Sequence, residues 1–362
     1  MKIKQFSFCE NPNTAILRLT RNFGLKKENE PPNKKLTAKE KAKRKHASLV
    51  YEEMSNLMEK MKEQGIKVIT VGEDKYIKNE VTYLYPDQVF LTDTGHYFVD
   101  ESKLHFVPAF FKYKSRRGEE ETPTKLAAAL GATIWPLQQF DEKKIIFEGG
   151  DFIQAPNRSL FFLGYGQRTE KRAIDAMRQI IKKTVIPIKL LRKEFFHLDC
   201  CVLPLPNDAL VLYEGEYIKD ANGHFILDKR GLPLLKPGSQ TMTEASRCLL
   251  REIYDVEKII LLSTAEALAF GANAVILKSD TDNRYKLFVN GDSKGREIEE
   301  SIALQNHLIS YFSHTKTKIL EVTENMMDIF EVPYKSLHYS YGSVHCTVEE
   351  TFLPQINASV IT

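Results

Sequence analysis

Phe196-His197-Leu198-Asp199-Cys200-Cys201, running on into Val202-Leu203-Pro204, is the stretch from which the architecture is best read. A β-prone run of this kind reads as a strand, in which alternate side chains share a face. His197, Asp199 and Cys201 then point one way, and Leu198, Cys200 and Val202 the other. A histidine and a carboxylate two residues apart on one face converge on a ligand only if partners arrive from elsewhere. Alone, a His-x-Asp pair is an ordinary surface pair or a satisfied core histidine.

Polar candidates do recur along the chain. Asp93 ends the run Tyr85-Pro86-Asp87-Gln88-Val89-Phe90-Leu91-Thr92-Asp93-Thr94-Gly95 and shares a strand face with Leu91 and Val89, although an acid at a strand end is usually a turn former. Glu148-Gly149-Gly150-Asp151 follows the strand Lys144 to Phe147, and its two glycines permit a sharp turn or a close backbone approach. Asp93 to Glu148 is 55 residues, Glu148 to His197 is 49, and His197 to Cys346 is 149, near three times 50. A period of about 50 residues suggests a repeat in which each unit sends one strand end to a common centre.

Strand and helix signals alternate through the chain. Residues 1 to 20 read as a strand with a turn. Thr37-Ala38-Lys39-Glu40 is a capping box, and Leu49, Val50, Met54, Leu57, Met58 and Met61 follow helical spacing to a C-cap at Gly65. Strands are expected at 66–71, 159–163, 184–190, 208–213, 258–262, 271–277, 286–289 and 318–322. Helices are expected before Gly131, after a Thr169 cap, at 244–254 and at 297–311. Residues 214–243, polar and rich in Gly and Pro, read as an excursion or lid, so 1–362 reads as one domain.

The bulk composition narrows the classes. The 362 residues carry a net charge of +3, and the basic excess is local: Lys26 to His46 holds nine Lys or Arg against three Glu. The basic arm, about 26–64, has no interleaved aromatics in its charged run and reads as a solvated helix start, so no nucleic-acid partner is expected. No apolar run approaches the roughly 20 residues that span a bilayer, and the start lacks a signal-peptide core. Five cysteines in no zinc spacing fit a reducing, cytoplasmic setting and imply no metal.

Gly291-Asp292-Ser293-Lys294-Gly295 matches a serine-hydrolase elbow, but Asn290-Gly291-Asp292 is ordinary turn chemistry. The other set is far more specific. Pro86-Asp87-x-Val89-Phe90-x-x-Asp93, Glu148-Gly149-Gly150-Asp151, His197-Leu198-Asp199 and Gly342-Ser343-Val344-His345-Cys346-Thr347 resemble, in that order, the guanidino-group modifying superfamily. That superfamily includes arginine deiminases, dimethylarginine dimethylaminohydrolases and amidinotransferases. The resemblance, from about Ile66 to Thr351, implies an α/β pentein: a five-bladed propeller of ββαβ units around one site. It implies Cys346 as nucleophile, His197 as acid/base, and Asp93, Glu148 and Asp199 as guanidinium-binding carboxylates. Arg168 matches a position that binds substrate carboxylate, Arg117 a basic loop position of similar use, and Asp87 belongs to the first motif. Two departures stand out: Tyr341 replaces a glycine, and Thr92-Asp93 stands where dimethylargininase relatives often carry Glu-Asp.

The chemistry explains the residue types. Carboxylates grip the N–H edges of a planar guanidinium and hold its carbon against a nucleophile. A thiol with a free pKa of about 8.5 becomes nucleophilic beside a cation. Neither a cofactor nor a metal is required. The expected partner is a small guanidino compound, with arginine the leading candidate and citrulline plus ammonia or an amine as products. Transfer to a second amine, a protein-arginine substrate and a non-catalytic binding role are the alternatives. His345 is expected to face away from the site, Asp151 and Asn273 to brace turns, and Cys200 and Cys201 to pack.

Overall fold

The computed structural model describes residues 12–20, 23, 38–78, 81–85, 87–100, 103–141, 143–156, 160–291, 315–332, 334 and 343–351. Ser293, the expected helix at 297–311, Tyr341, Gly342, Pro86 and most of the charged arm's first half lie outside them.

Five three-stranded sheets carry the fold, and all five have one pattern. In each, the first strand pairs antiparallel with the second, and the second pairs parallel with the third. Unit 1 is Gly95–Asp100, Lys103–Pro108 and Thr133–Ile134. Unit 2 is Phe152–Gln154, Leu160–Tyr165 and Thr184–Lys189. Unit 3 is Val202–Leu205, Ala209–Leu212 and Ile259–Leu261. Unit 4 is Val275–Lys278, Tyr285–Asn290 and Met327–Val332. Unit 5 joins the two ends of the chain: Val348–Thr351 pairs antiparallel with Thr14–Leu17, which pairs parallel with Lys67–Thr70.

A parallel pair needs a crossover, and helices supply it. Glu121–Ala129, Arg172–Ile180, Glu244–Ile253 and Ala38–Glu63 each precede the third strand of their unit, and residues 315–322 do so in unit 4. This is a five-bladed ββαβ pentein, as the resemblance implied. The helices close the core with apolar stripes. Val50, Met54, Leu57 and Met61 of the long helix are fully buried, whereas Leu49 on the same helix is exposed. At roughly 25 cal/mol per Å2 of apolar surface removed from water, each such buried side chain contributes about 2 kcal/mol before entropy.

The first strands explain the centre. Asp93, Gly150, Cys200, Asn273 and Cys346 each stand two residues before the first strand of their unit. In four units a short helical turn occupies this place: Leu91–Thr94, Gly149–Asp151, Leu198–Cys200 and Val344–Thr347. Here the local reading needs correction. Asp93, His197-Asp199 and Cys346 do not alternate along strands, because the chain turns before each strand begins. The polar residues therefore leave the strand and enter the centre instead of sharing its faces.

Other expectations also shift. Residues 318–322 are helical, and the strand follows at Met327–Val332. Lys144 to Phe147 forms only an isolated bridge, Phe110 with Phe147. Thr169 does not cap its helix; its hydroxyl accepts from Glu148 N and its N–H donates to Asp151. The 214–243 excursion is a ladder of isolated bridges inserted between the second strand of unit 3 and its helix. Buried Glu214 ties it to Arg247 and Arg251 of that helix. Among the described residues, no helix is long and apolar enough to cross a membrane.

Candidate active site

The site assembles where the five pre-strand turns meet. Gly149 and Gly150 are there because no side chain fits. A Cβ at Gly149 would lie 2.0 Å from the carbonyl oxygens of Thr92 and Gly95, and one at Gly150 would lie 2.8 Å from both Asp93 Oδ1 and His197 Nδ1. The glycine pair thus lets unit 2 close against unit 1 with His197 between them.

His197 is wholly buried between two acids. Its Nε2 lies 2.9 Å from Glu148 Oε2 and its Nδ1 3.1 Å from Asp93 Oδ1, the latter an ion-pair contact without hydrogen-bond alignment. Burial opposes the charge, but Asp93, then Glu148 and Asp151, outweigh it and hold the imidazolium well above its ordinary range. The same contacts, against burial, keep Asp93 and Glu148 below the usual carboxylate range. Asp151 braces turns as expected: its carboxylate accepts the N–H groups of Thr169 and Leu198.

Glu148 is spent on protein donors. Besides His197 it accepts from Arg168 NH1 at 2.9 Å and from Lys112 N at 3.0 Å. Its geometry suits a residue that holds His197, and it does not line the cavity. Arg168 does line it, stacked between the rings of Tyr113 and Phe196 with its guanidinium 4.7 and 4.5 Å from their centroids.

Cys346 is buried, with its Sγ 3.7 Å from Asp199 Oδ2 and 3.1 Å from Asn273 Nδ2. Burial, followed by Asp199 and Asp93, pushes the thiol well above its ordinary range. Asp199 also accepts from Cys200 Sγ through Oδ1 and lies 2.9 Å from His345 Nδ1 through Oδ2. His345 therefore does not turn away from the site: on a helical turn rather than a strand, neighbours 345 and 346 both reach one carboxylate. Cys200 packs in the core as expected but also touches Asp199, while Cys201 bonds back to Leu198 O.

A cavity of about 390 Å3 opens onto Cys346 and Asp93 and is also lined by Asp87, Phe90, Tyr113, Ser115, Arg116, Arg168, Lys193 and Phe196. Arg117, expected here, is absent from the lining. It stacks on Phe110 and donates to Phe111 O, and its neighbour Arg116 takes the inner place. Arg116 donates to Asp93 Oδ2 at 2.7 Å and grips Glu119 Oε2 with two nitrogens. A short helical turn at Lys114–Arg116 decides which of the two arginines points inward, and adjacent basic residues carry no sequence signal for that choice. Lys193, Tyr113 and Phe196 were likewise missed. The excursion contributes no lining residue.

The family described as N,N dimethylarginine dimethylhydrolase, eukaryotic, matches residues 20–353. The chain belongs to this family. Among curated relatives, a bifunctional arginine dihydrolase/ornithine cyclodeaminase, AgrE, from Nostoc sp. is 26% identical over 196 residues, which are 54% of this chain and 23% of that protein. A dimethylarginine dimethylaminohydrolase from Mycobacterium tuberculosis is 23% identical over 190 residues, 52% of this chain and 50% of that one. The matches thus span from under a quarter to half of those relatives. Among solved structures, the N-terminal domain of ArgZ, a cyanobacterial arginine dihydrolase, covers 95% of this chain and 99% of its own at TM-score 0.62 and 18% identity. A dimethylarginine dimethylaminohydrolase structure covers 96% and 100% at TM-score 0.55 and 13% identity. These likenesses carry the fold, and the family model carries the family membership.

Proposed function

We propose that the chain hydrolyses a C–N bond of a free guanidino amino acid through Cys346, releasing a ureido product with ammonia or an amine. The observation that carries it is a buried thiol at the floor of a cavity whose walls combine a carboxylate, Asp93, with the cations Arg168 and Lys193. A guanidino amino acid has the complementary charges: a planar cation at one end and a carboxylate at the other. Asp93 on the cavity wall and Asp199, outside the lining but 3.7 Å from Cys346 Sγ, hold the cation edge-on, and Arg168 with Lys193 attracts the carboxylate.

The steps follow from the protonation states. The arriving cation offsets the anionic field that keeps Cys346 protonated, so the thiol releases its proton to solvent through the open cavity as substrate seats, His197 being already protonated. The thiolate adds to the guanidinium carbon, and the C–N bond breaks as imidazolium His197 gives its proton to the departing nitrogen. Ammonia or an amine leaves, and an S-alkylthiouronium remains on Cys346. Neutral His197 takes a proton from water, whose oxygen adds to the same carbon. The C–S bond then breaks, returning the thiolate, and the hydroxyl proton passes to solvent as the ureido carbonyl forms. Glu148 orients His197 through both half-reactions.

The family's description supports testing Nω-methylated arginines beside arginine, the leading candidate from the sequence. Incubation with dimethylarginine, monomethylarginine and arginine tests this, with citrulline measured alongside dimethylamine, methylamine or ammonia. Turnover of at least one is expected, with loss of activity in Cys346→Ser. Product formed only when an acceptor amine is supplied would assign group transfer instead. No turnover of any guanidino compound would refute the reading.

A further inference from the structure

Asn273 was expected to brace a turn, and it does more. It holds the unit 4 position equivalent to Asp93, Gly150, Cys200 and Cys346, two residues before its strand. Three of its polar groups go to the turn that carries the nucleophile. Its main-chain oxygen accepts from His345 N at 3.5 Å, its Oδ1 accepts from Cys346 N at 3.2 Å, and its Nδ2 donates to Cys346 Sγ at 3.1 Å. Chemistry fixes which way the amide faces. A backbone N–H only donates, so the oxygen must meet it and the NH2 must meet the sulfur.

We propose that Asn273 is a catalytic residue, stabilising the Cys346 thiolate through an N–H···S hydrogen bond while its oxygen fixes the Cys346 backbone. The inference rests on Cys346 being the nucleophile. The setting makes such a donor necessary. Asp199 sits 3.7 Å from the sulfur, and the site holds a second carboxylate in Asp93, so a thiolate formed there meets negative charge. Burial, Asp199 and Asp93 push the thiol up, whereas the Ser343 backbone and the Asn273 amide pull it down. As sulfur passes from thiol to thiolate the bond becomes charge-assisted and about doubles in strength. The interaction is therefore worth more in the reactive state than in the resting one, which is the condition for catalysis.

Residue type follows from the same geometry. An aspartate at 273 would accept the Cys346 N–H equally well but would repel the thiolate. An alanine would satisfy neither group. Asn273 is fully buried, so water does not substitute for the amide in the folded chain.

The test measures the rate of Cys346 alkylation by iodoacetamide against pH, read from the mass of the Cys346 peptide, in wild type, Asn273→Ala and Asn273→Asp. Far-UV circular dichroism checks that each variant is folded. The midpoint is expected to rise by about one pH unit in Asn273→Ala, the loss of one charge-assisted bond, and by more in Asn273→Asp. Asn273→Asp adds a repelling charge whatever the amide does, so Asn273→Ala is the deciding variant. A wild-type midpoint in a folded Asn273→Ala would overturn the proposal. The readout needs no substrate. Full turnover by Cys346→Ser would remove the catalytic reading, while the alkylation midpoint would still report the hydrogen bond.

Discussion

Asp199→Asn should move two measurements in opposite directions. Asp199 Oδ2 lies 3.7 Å from Cys346 Sγ and 2.9 Å from His345 Nδ1. Two unit charges at 3.7 Å in an effective dielectric of about 20 interact by roughly 4 kcal/mol. At about 1.4 kcal/mol per pKa unit, that repulsion amounts to roughly three units on the Cys346 thiol. His345 reduces it. Burial works against its charge, but the Asp199 contact raises its pKa, so over the lower pH range a cation shares the carboxylate. A shift of about one to two units remains. Thiol reactivity requires the anion, so a lowered thiol pKa means alkylation begins at lower pH. Asp199→Asn should therefore bring the Cys346 alkylation midpoint down by about one to two pH units. Under the proposed function turnover should nevertheless fall by at least about tenfold, since Asp199 is there assigned to hold the guanidinium. The assay pairs the pH profile of alkylation with kcat/KM on the best guanidino substrate. An unchanged or raised midpoint would refute the electrostatic account of the thiol, and undiminished turnover would remove Asp199 from the substrate grip.

Cys346→Ser should abolish turnover and leave the unfolding transition within about 1 kcal/mol of wild type, since serine is nearly isosteric; chemical denaturation and a product assay check both. Glu148→Gln should destabilise the fold by about 3 kcal/mol in urea titration. Its amide cannot accept from His197, Arg168 and Lys112 N together, and it leaves the buried His197 imidazolium and the half-buried Arg168 beside a neutral group. Arg168→Ala should raise KM for a guanidino amino acid by tenfold or more while changing that for a decarboxylated analogue much less. Equal losses for the two analogues would assign Arg168 to holding Glu148 alone.

Much of this was legible in order along the chain. The motifs at Asp93, Glu148 and His197 lie about one blade apart, but the 149 residues from His197 to Cys346 are two longer blades and not three of about 50: Cys200, Asn273 and Cys346 stand 73 residues apart, and in unit 3 the 214–243 excursion supplies the extra length. The apolar stripe of the long helix was equally plain, because burial on one face leaves a 3.6-residue period in the sequence itself. What failed were the local geometries around the site. His197-Leu198-Asp199 reads as a strand by composition, yet a helical turn stands there, since strand propensity is weaker than the closure of five units on one point. The matching turn at Val344–Thr347 swings His345 onto Asp199 and lets Asn273 reach the sulfur of a residue 73 positions away. It was likewise tertiary packing, with Asp93 on one side and Glu119 on the other, that drew Arg116 inward and left Arg117 on Phe110. Which residue types reach the centre, and in what order, is written in the linear chain. Which atoms meet there is set by the assembly of the five units, because charge pairing and hydrogen bonding between units depend on distances that no single unit encodes.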